Sequence, residues 1–295
     1  MTKNPIPVYD LKTFTPAADA RGECLVQVFD GRRTARAPFP HRHDFFEVLL
    51  LHRGSGTHTI DFRQYHIKPP CVFFLSPGQV HTLSPSADIA GYIFLFTAGF
   101  YLVDKPDQNR LFDLPFFYNL EGESRPLYLT GEAELAPLRQ LFELAVREYD
   151  AAHIDTAEVL RPALDLLLAL CKRLYPAQPP EAQKTKGKLL VKRFMQAVEE
   201  HYLGCKSVKD FAERLAVTPN HLNETVKACT GRTASDLIKD KVMLEIKRSL
   251  LYTDHTVSEI AYQFGFTDQS YFSKYFRGRE GVSPQAYREG AIKST

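Results

Sequence analysis

Apolar positions fall into short runs in the first half of the chain and into a three-to-four-residue period in the second. Between Glu23 and about Leu129 the runs are Leu25–Phe29, Glu47–Leu51, His58–Phe62, Cys71–Leu75 and Gly91–Phe96. Turn-forming clusters separate them: Pro38-Phe-Pro40, Arg53-Gly-Ser-Gly56, Lys68-Pro-Pro70 and Ser76-Pro-Gly78. Many short strands at this spacing predict an antiparallel barrel or sandwich. Near Glu132 the pattern changes. Leu135, Leu138, Leu141, Phe142, Ala145 and Tyr149 trace one face of an amphipathic helix. A second helix is predicted from Asp155 to about Tyr175, with Leu160, Leu164, Leu167, Leu168 and Cys171 inward and Pro162 in its first turns. Adjacent helices pack as a hairpin, and the surplus of leucine either leaves a face for a second subunit or serves to cover the barrel.

These patterns divide the chain into an N-terminal arm (1–22), a barrel (23–130), a helical dimerisation element (131–175), a linker (176–187) and a helical C-terminal domain (188–295). The linker has three prolines and a basic end. The expected fold class is α+β with two domains: an antiparallel β-barrel bearing a helical hairpin, then an all-α domain built from two helix-turn-helix units.

The first unit runs from Ser207 to Lys227. Ser207 is placed to cap a helix whose inward positions are Val208, Phe211, Ala212 and Leu215, and Ala216-Val217 makes the turn. Thr218 caps the next helix, with Pro219 at its first position, where a missing N–H costs nothing. Leu222 and Val226 face inward, which leaves Asn220, Asn223, Glu224 and Lys227 outside. The second unit, about fifty residues on, repeats the logic. Thr256 and Glu259 form a capping box, Ile260, Ala261 and Phe264 pack, and Gly265-Phe266 turns the chain. Thr267 is expected to cap the second reader. Phe272 and Phe276 anchor that helix, and Gln269, Ser270, Ser273, Lys274 and Arg277 face out. Amide and hydroxyl side chains bridge base edges, and Lys and Arg suit phosphates. A helix over Ala234–Tyr252 would hold the readers about one turn of B-DNA apart, roughly 34 Å. Ser283-Pro284 starts a short closing helix.

Charge agrees with a nucleic-acid module. From Lys184 onward there are 19 Lys+Arg against 13 Asp+Glu, a balance of +6; the preceding residues carry 18 against 22, a balance of −4. Five scattered cysteines without a C-x-x-C pair argue against a disulfide framework or a cysteine zinc site, and fit a reducing compartment. The polar start and the lack of a long apolar run predict a cytoplasmic protein without membrane spans.

Thr230-Gly-Arg-Thr, the stretch Ile260-Ala-x-x-x-Gly-Phe-x-Asp-x-Ser-Tyr-Phe-Ser-Lys-Tyr-Phe276 and Gly281-Val-Ser-Pro-x-x-Tyr-Arg288 resemble the signature of AraC/XylS-type transcription regulators over about residues 188–290. In that family the recognition helices enter consecutive major grooves. The resemblance implies base-contact roles for Asn220, Asn223, Glu224, Gln269, Ser270, Ser273 and Lys274. Glu224 departs from the basic or small residue often found there; a carboxylate accepts from cytosine N4 but repels phosphate.

The barrel carries His41-Arg-His43-Asp-Phe-Phe-Glu47, then Gly54, then Pro77-Gly78-Gln-Val-His81. His-x-His on a strand puts both imidazoles on one face, and Glu47 joins them if the strand continues. Three histidines and a carboxylate suit Zn, Mn, Fe or Ni. The spacing is similar to the cupin motifs, which form the effector domain of many such regulators. Ala35 replaces a motif glycine, Pro77-Gly78 lacks the usual spacer residue, and Pro85 stands where an asparagine is usual. Three roles stay open for His41, His43, Glu47 and His81: barrel structure, effector contact, or metal binding. His52, His58 and His66 read as surface or cross-strand residues. The aromatics Phe39, Phe45, Phe46, Phe73, Phe74, Tyr92, Phe94 and Phe96 serve equally as core or pocket wall.

The function expected is a sequence-specific DNA-binding regulator, effector-responsive and homodimeric. Its partners would be double-stranded DNA, an unidentified small molecule and, for an activator, RNA polymerase. No enzymatic activity and no resident cofactor are expected, a divalent metal being the alternative. The competing readings are a metal-dependent cupin enzyme fused to a DNA-binding domain, and a DNA-binding protein whose barrel only dimerises.

Overall fold

The computed structural model describes residues 6–14, 23–31, 39–106, 110–117, 125–175, 187–230 and 232–292. Most of the linker, most of the N-terminal arm, Ala35, Pro38 and Gly231 lie outside the described residues. Two compact units separate, one of Val8–Gln178 and one formed mainly by Pro179–Thr295.

The first unit is built on strands β1 (Val8–Tyr9), β2 (Cys24–Asp30), β3 (Arg42–His43), β4 (Phe46–Arg53), β5 (Gly56–Ile60), β6 (Arg63–Ile67), β7 (Cys71–Leu75), β8 (His81–Pro85), β9 (Ala90–Phe96) and β10 (Leu127–Tyr128). Its helices are α1 (Leu11–Phe14), α2 (Ala98–Leu102), α3 (Glu132–Ala151) and α4 (Thr156–Leu174). One sheet has the order β10-β7-β4-β9-β2, and a second has β6-β5-β8. Strand β4 is the middle of the larger sheet, antiparallel to β7 and β9, with Val48 opposite both Phe74 and Phe94. Phe46 to Leu51 are all buried, so the strand reads as an apolar run with no alternation. Gly91 is required opposite it, since a Cβ there would sit 1.9 Å from the Leu50 carbonyl oxygen.

The expected run His58–Phe62 ends earlier than predicted. Strand β5 stops at Ile60, and Asp61, at φ 54°, turns the chain with Phe62 into β6. Strands β6 and β8 carry no apolar run, and the periodicity did not show them. Phe45, Phe46, Phe73, Phe74, Phe94 and Phe96 are core; Tyr92 packs partly buried on Phe142, and Phe39 is 47 % exposed.

Helices α3 and α4 form the expected hairpin. Leu135, Leu138, Phe142, Ala145 and Tyr149 of α3 are buried, as are Leu160, Leu164, Leu167, Leu168 and Cys171 of α4. Leu144, Val159 and Leu166 remain exposed on the same pair.

The second unit contains α5 (Lys188–His201), α6 (Val208–Arg214), α7 (Pro219–Thr230), α8 (Ala234–Tyr252), α9 (Val257–Gln263), α10 (Gln269–Glu280) and α11 (Pro284–Ile292). It has two small cores. Val191, Phe194, Val198, Phe211, Ala212, Leu222 and Val226 form one with the start of α8. Ile260, Ala261, Phe264, Phe272 and Phe276 form the other with Met243, Ile246 and Leu250 near its end. Helix α8 thus serves both cores and buries residues all round, including Lys241, Glu245 and Arg248. Lys241 Nζ reaches Glu199 at 2.6 Å and Glu245 at 2.8 Å, and Glu245 also pairs with Arg248. Buried charges persist only when paired in this way. Lys247–Glu280 and Arg279–Asp240, both at 3.0 Å, tie α10 to the same helix. No helix among the described residues is long and apolar enough to cross a membrane.

Candidate DNA interface and a buried histidine cluster

Each reader is set by its caps. Ser207 Oγ accepts from the Asp210 amide while the Asp210 carboxylate accepts from the Ser207 amide, and these bonds hold that carboxyl below its ordinary range. Thr256 and Glu259 close the same box on α9. Thr218 Oγ1 accepts from the His221 amide and starts α7 as expected. The start of α10 differs from expectation. Asp268, not Thr267, is the cap: its carboxylate accepts from the Ser270 and Tyr271 amides at 2.8 and 3.3 Å. A carboxylate reaches two amides where a hydroxyl serves one, and its charge suits the helix N-terminus.

The candidate contacts then fall on two polar faces. Asn220, Glu224 and Lys227 on α7 are exposed, and so are Gln269, Ser270, Lys274 and Arg277 on α10; Ser273 is half-buried. On α7 Asn220 Nδ2 donates to Glu224 Oε1 at 3.1 Å, so these two present one paired surface. Asn223 is half-buried and turned toward its own protein, where its Oδ1 accepts from the Ala234 amide at 3.1 Å and helps start α8. Its carbonyl oxygen is thereby committed, whereas Ser273, at the equivalent position of α10, is not tied in this way.

The histidines of the first unit divide differently from the sequence expectation. Strand β3 ends at His43, and the chain bends at Asp44 and Phe45 before β4 begins. The alternation that would carry His41 onto the face of Glu47 is therefore broken. His43 Nε2 lies 3.6 Å from Glu47 Oε2, and His81 joins these two, one ligand atom from each lying within 4.8 Å of the others. His41 is paired with His81 only through the backbone bridge and ring packing, at 4.3 Å between centroids. Its Nδ1 donates to the Phe39 carbonyl at 2.9 Å.

His58 was read from sequence as a surface or cross-strand residue; it is fully buried beside the cluster and takes the cross-strand alternative, β5 lying next to β8. Its Nε2 is 3.1 Å from His81 Nδ1, and its ring packs on Phe73. The available signal was its place two residues before inward-facing Ile60 on β5. His52 is half-buried and His66 exposed, in line with the expectation. Burial drives the His58 pKa down to about 4 and that of His81 well below the ordinary histidine range. Burial also lowers His41. Two imidazoles and a carboxylate could hold a transition metal, or could meet a polar effector.

Two family models match. The AraC-like ligand binding domain covers residues 28–189, and a helix-turn-helix domain covers 211–290. Among curated relatives, the HTH-type transcriptional activator RhaS of Salmonella arizonae is 25% identical over 267 residues, spanning 88% of this chain and 90% of that protein. Among solved structures, the C-terminal domain of AraT, a response regulator from Geobacillus stearothermophilus, is 31% identical over 34% of this chain and 84% of that one, with a TM-score of 0.33. Fatty-acid-bound ToxT from Vibrio cholerae is 16% identical and covers 90% of this chain and 95% of that one, with a TM-score of 0.39. With an N-terminal sheet unit matched over more than half the chain and a tandem reader behind it, the chain belongs to the AraC-like family, as a DNA-binding transcription regulator that carries a ligand-binding domain.

Proposed function

We propose that this regulator is a homodimer that reads two successive major-groove faces per subunit and changes its occupancy when a small molecule enters the N-terminal unit. The observation that carries the reading is the pair of capped helices, α7 and α10, built onto the single helix α8 with polar faces outward. Residues 23–130 serve as the effector domain, 131–175 as the dimerisation element, 176–187 as the linker and 188–295 as the DNA-binding domain. Asn220, Glu224, Lys227, Gln269, Ser270, Ser273, Lys274 and Arg277 meet DNA, and Asn223 supports the first reader from behind. Lys227 and Arg277 are assigned to phosphates, and Lys274 with the amide and hydroxyl groups to base edges. Dimerisation uses the α3–α4 pair, where Leu144, Val159 and Leu166 are exposed. The effector acts by its different affinity for two arrangements of the dimer. Transcription control in the cytoplasm is the proposed role, with no catalysis. The relative RhaS is named a transcriptional activator, which supports contact with RNA polymerase.

The decisive experiment is selection of genomic fragments by the full-length protein at a stated salt concentration. Recovery of two sequence blocks about ten base pairs apart is expected. Retention that is salt-sensitive and independent of sequence would overturn the reading. Sedimentation of Leu166→Glu beside the parent checks the dimer, which should fall to monomer.

A further inference from the structure

Three buried side chains of the first unit aim donor atoms at one place. His43, Glu47 and His81 are 2, 6 and 6 % exposed, and each offers one ligand atom within 4.8 Å of the other two. Each of the two histidines carries an unsatisfied ring nitrogen: His43 Nε2 and His81 Nε2 are buried and make no hydrogen bond. An orphaned ring nitrogen is costly in an interior, and two of them beside one carboxylate call for a shared partner. A single proton satisfies one of these atoms. A divalent cation satisfies all three.

The groups behind the cluster favour the cation. His43 Nδ1 donates to the Phe45 carbonyl at 2.7 Å, since a carbonyl can only accept, so the nitrogen of this ring that can offer a lone pair is Nε2. His58 Nε2 faces His81 Nδ1 at 3.1 Å. When His81 donates in that pair, its own Nε2 also presents a lone pair. Metal-binding histidines are held by such partners on the far ring nitrogen.

We propose that His43, Glu47 and His81 form a divalent transition-metal site, that His58 fixes the His81 tautomer from behind, and that His41 stays outside the coordination sphere. Two imidazoles and a carboxylate suit Zn²⁺ or Fe²⁺ and not the all-oxygen shells of Ca²⁺ or Mg²⁺. Tetrahedral ligand atoms at bond lengths near ~2.0 Å stand about 3.3 Å apart, so closing the site needs shifts of the order of an ångström. Three protein ligands leave a position open, which water or a donor atom of a small molecule can take. The site stands on its own donor set, whether or not transcription responds to the ion.

The test uses chelator-stripped full-length protein titrated separately with Co²⁺ and Zn²⁺, read by calorimetry, visible absorption for Co²⁺, and the thermal midpoint. One ion per chain and a raised midpoint are expected. Glu47→Gln and His81→Asn should abolish saturable binding. His58→Phe should weaken it on the order of 10–100-fold, while His41→Asn should stay within about threefold of the parent, as a group outside the coordination sphere would. Variants are compared once their circular dichroism matches the parent, and the titration of the parent decides the matter even where a ligand variant does not fold. Absence of stoichiometric binding by the parent overturns the site. So does binding unchanged in Glu47→Gln and His81→Asn, which would place the ion elsewhere. A loss in His41→Asn equal to that in His81→Asn overturns the three-ligand set, and an unaffected His58→Phe removes His58 from it.

Discussion

Ser207 with Asp210 and Thr256 with Glu259 close the same capping box on the two helix-turn-helix units, and the likeness continues inward. Ala212 and Ala261 stand five residues after these caps, both fully buried where two helices cross. Leu222 and Phe272 follow the second caps, Thr218 and Asp268, by four residues, and Val226 and Phe276 by eight. Outward, equivalent positions diverge. Six residues after the second cap stands Glu224 in one unit and Lys274 in the other; nine after, Lys227 and Arg277. The second reader therefore offers two cations where the first offers a carboxylate and a lysine. Interiors repeat because two crossing helices impose the same demands, whereas exteriors carry no such packing constraint and are free to differ.

The largest expected effect comes from breaking what holds the pair together. Glu245 is buried and shared by Lys241 and Arg248 on α8, and Lys241 also reaches Glu199 on α5. Glu245→Ala removes the shared carboxylate and should cost about 3–5 kcal/mol of stability. Chemical denaturation should show both readers lost in one transition if α8 couples them. Two separated transitions would mean that the cores served by α8 fold independently.

Exchanging the outer charges tests the asymmetry itself. Lys274→Glu gives the second reader the carboxylate of the first, and should cost roughly 1–3 kcal/mol of operator affinity. Glu224→Lys should steepen the salt dependence by about one counterion and tighten binding to unrelated DNA. Fluorescence anisotropy over a salt series measures both. Equal and opposite effects would show the readers to be interchangeable, and a neutral Lys274→Glu would show that the second helix does not face the duplex.

The caps probe the shared interior. Ser207→Ala and Thr256→Ala should each lower stability by about 1 kcal/mol, because each strips an amide of its acceptor at a helix start. Urea melts that differ by more than about twofold between them would show that one reader depends on its cap far more than the other.

These repeated features were legible in the sequence because each is local. A cap, a proline at the first turn and a small residue at a crossing all lie within a few residues of one another, and α8 was read to its end residues. What escaped depends on distant contacts. Asn223 looked outward by helical period, yet its partner is the Ala234 amide, eleven residues away across a bend. Thr267 and Asp268 are both good caps, and only the backbone decides which one faces the free amides. In the first unit, His41 fell outside the cluster because β3 is two residues long and ends in a bend, which resets the alternation. His58 fell inside because β5 sits across from Phe73 and His81. Neither fact is contained in the spacing of His-x-His.

The smallest effect separates the two turns. Ala216 and Gly265 each stand nine residues after a cap and each adopts the left-handed conformation, at φ 55° and 75°. A side chain there costs about 1–2 kcal/mol, and glycine's added freedom in the unfolded chain returns roughly 0.4–1 kcal/mol of that. Ala216→Gly should therefore stabilise the first reader, by about 0.5 kcal/mol. The reverse change is worse than its mirror image. A Cβ at Gly265 would lie 1.9 Å from Lys206 Nζ, which donates to the Phe264 carbonyl at 3.1 Å. Gly265→Ala must displace that lysine as well as strain the turn, and should cost about 2 kcal/mol. Urea denaturation of both variants gives the comparison. Opposite signs are expected; a loss of stability in Ala216→Gly would mean that the turn carries no side-chain strain, and that alanine is kept there for the rigidity it gives the first reader.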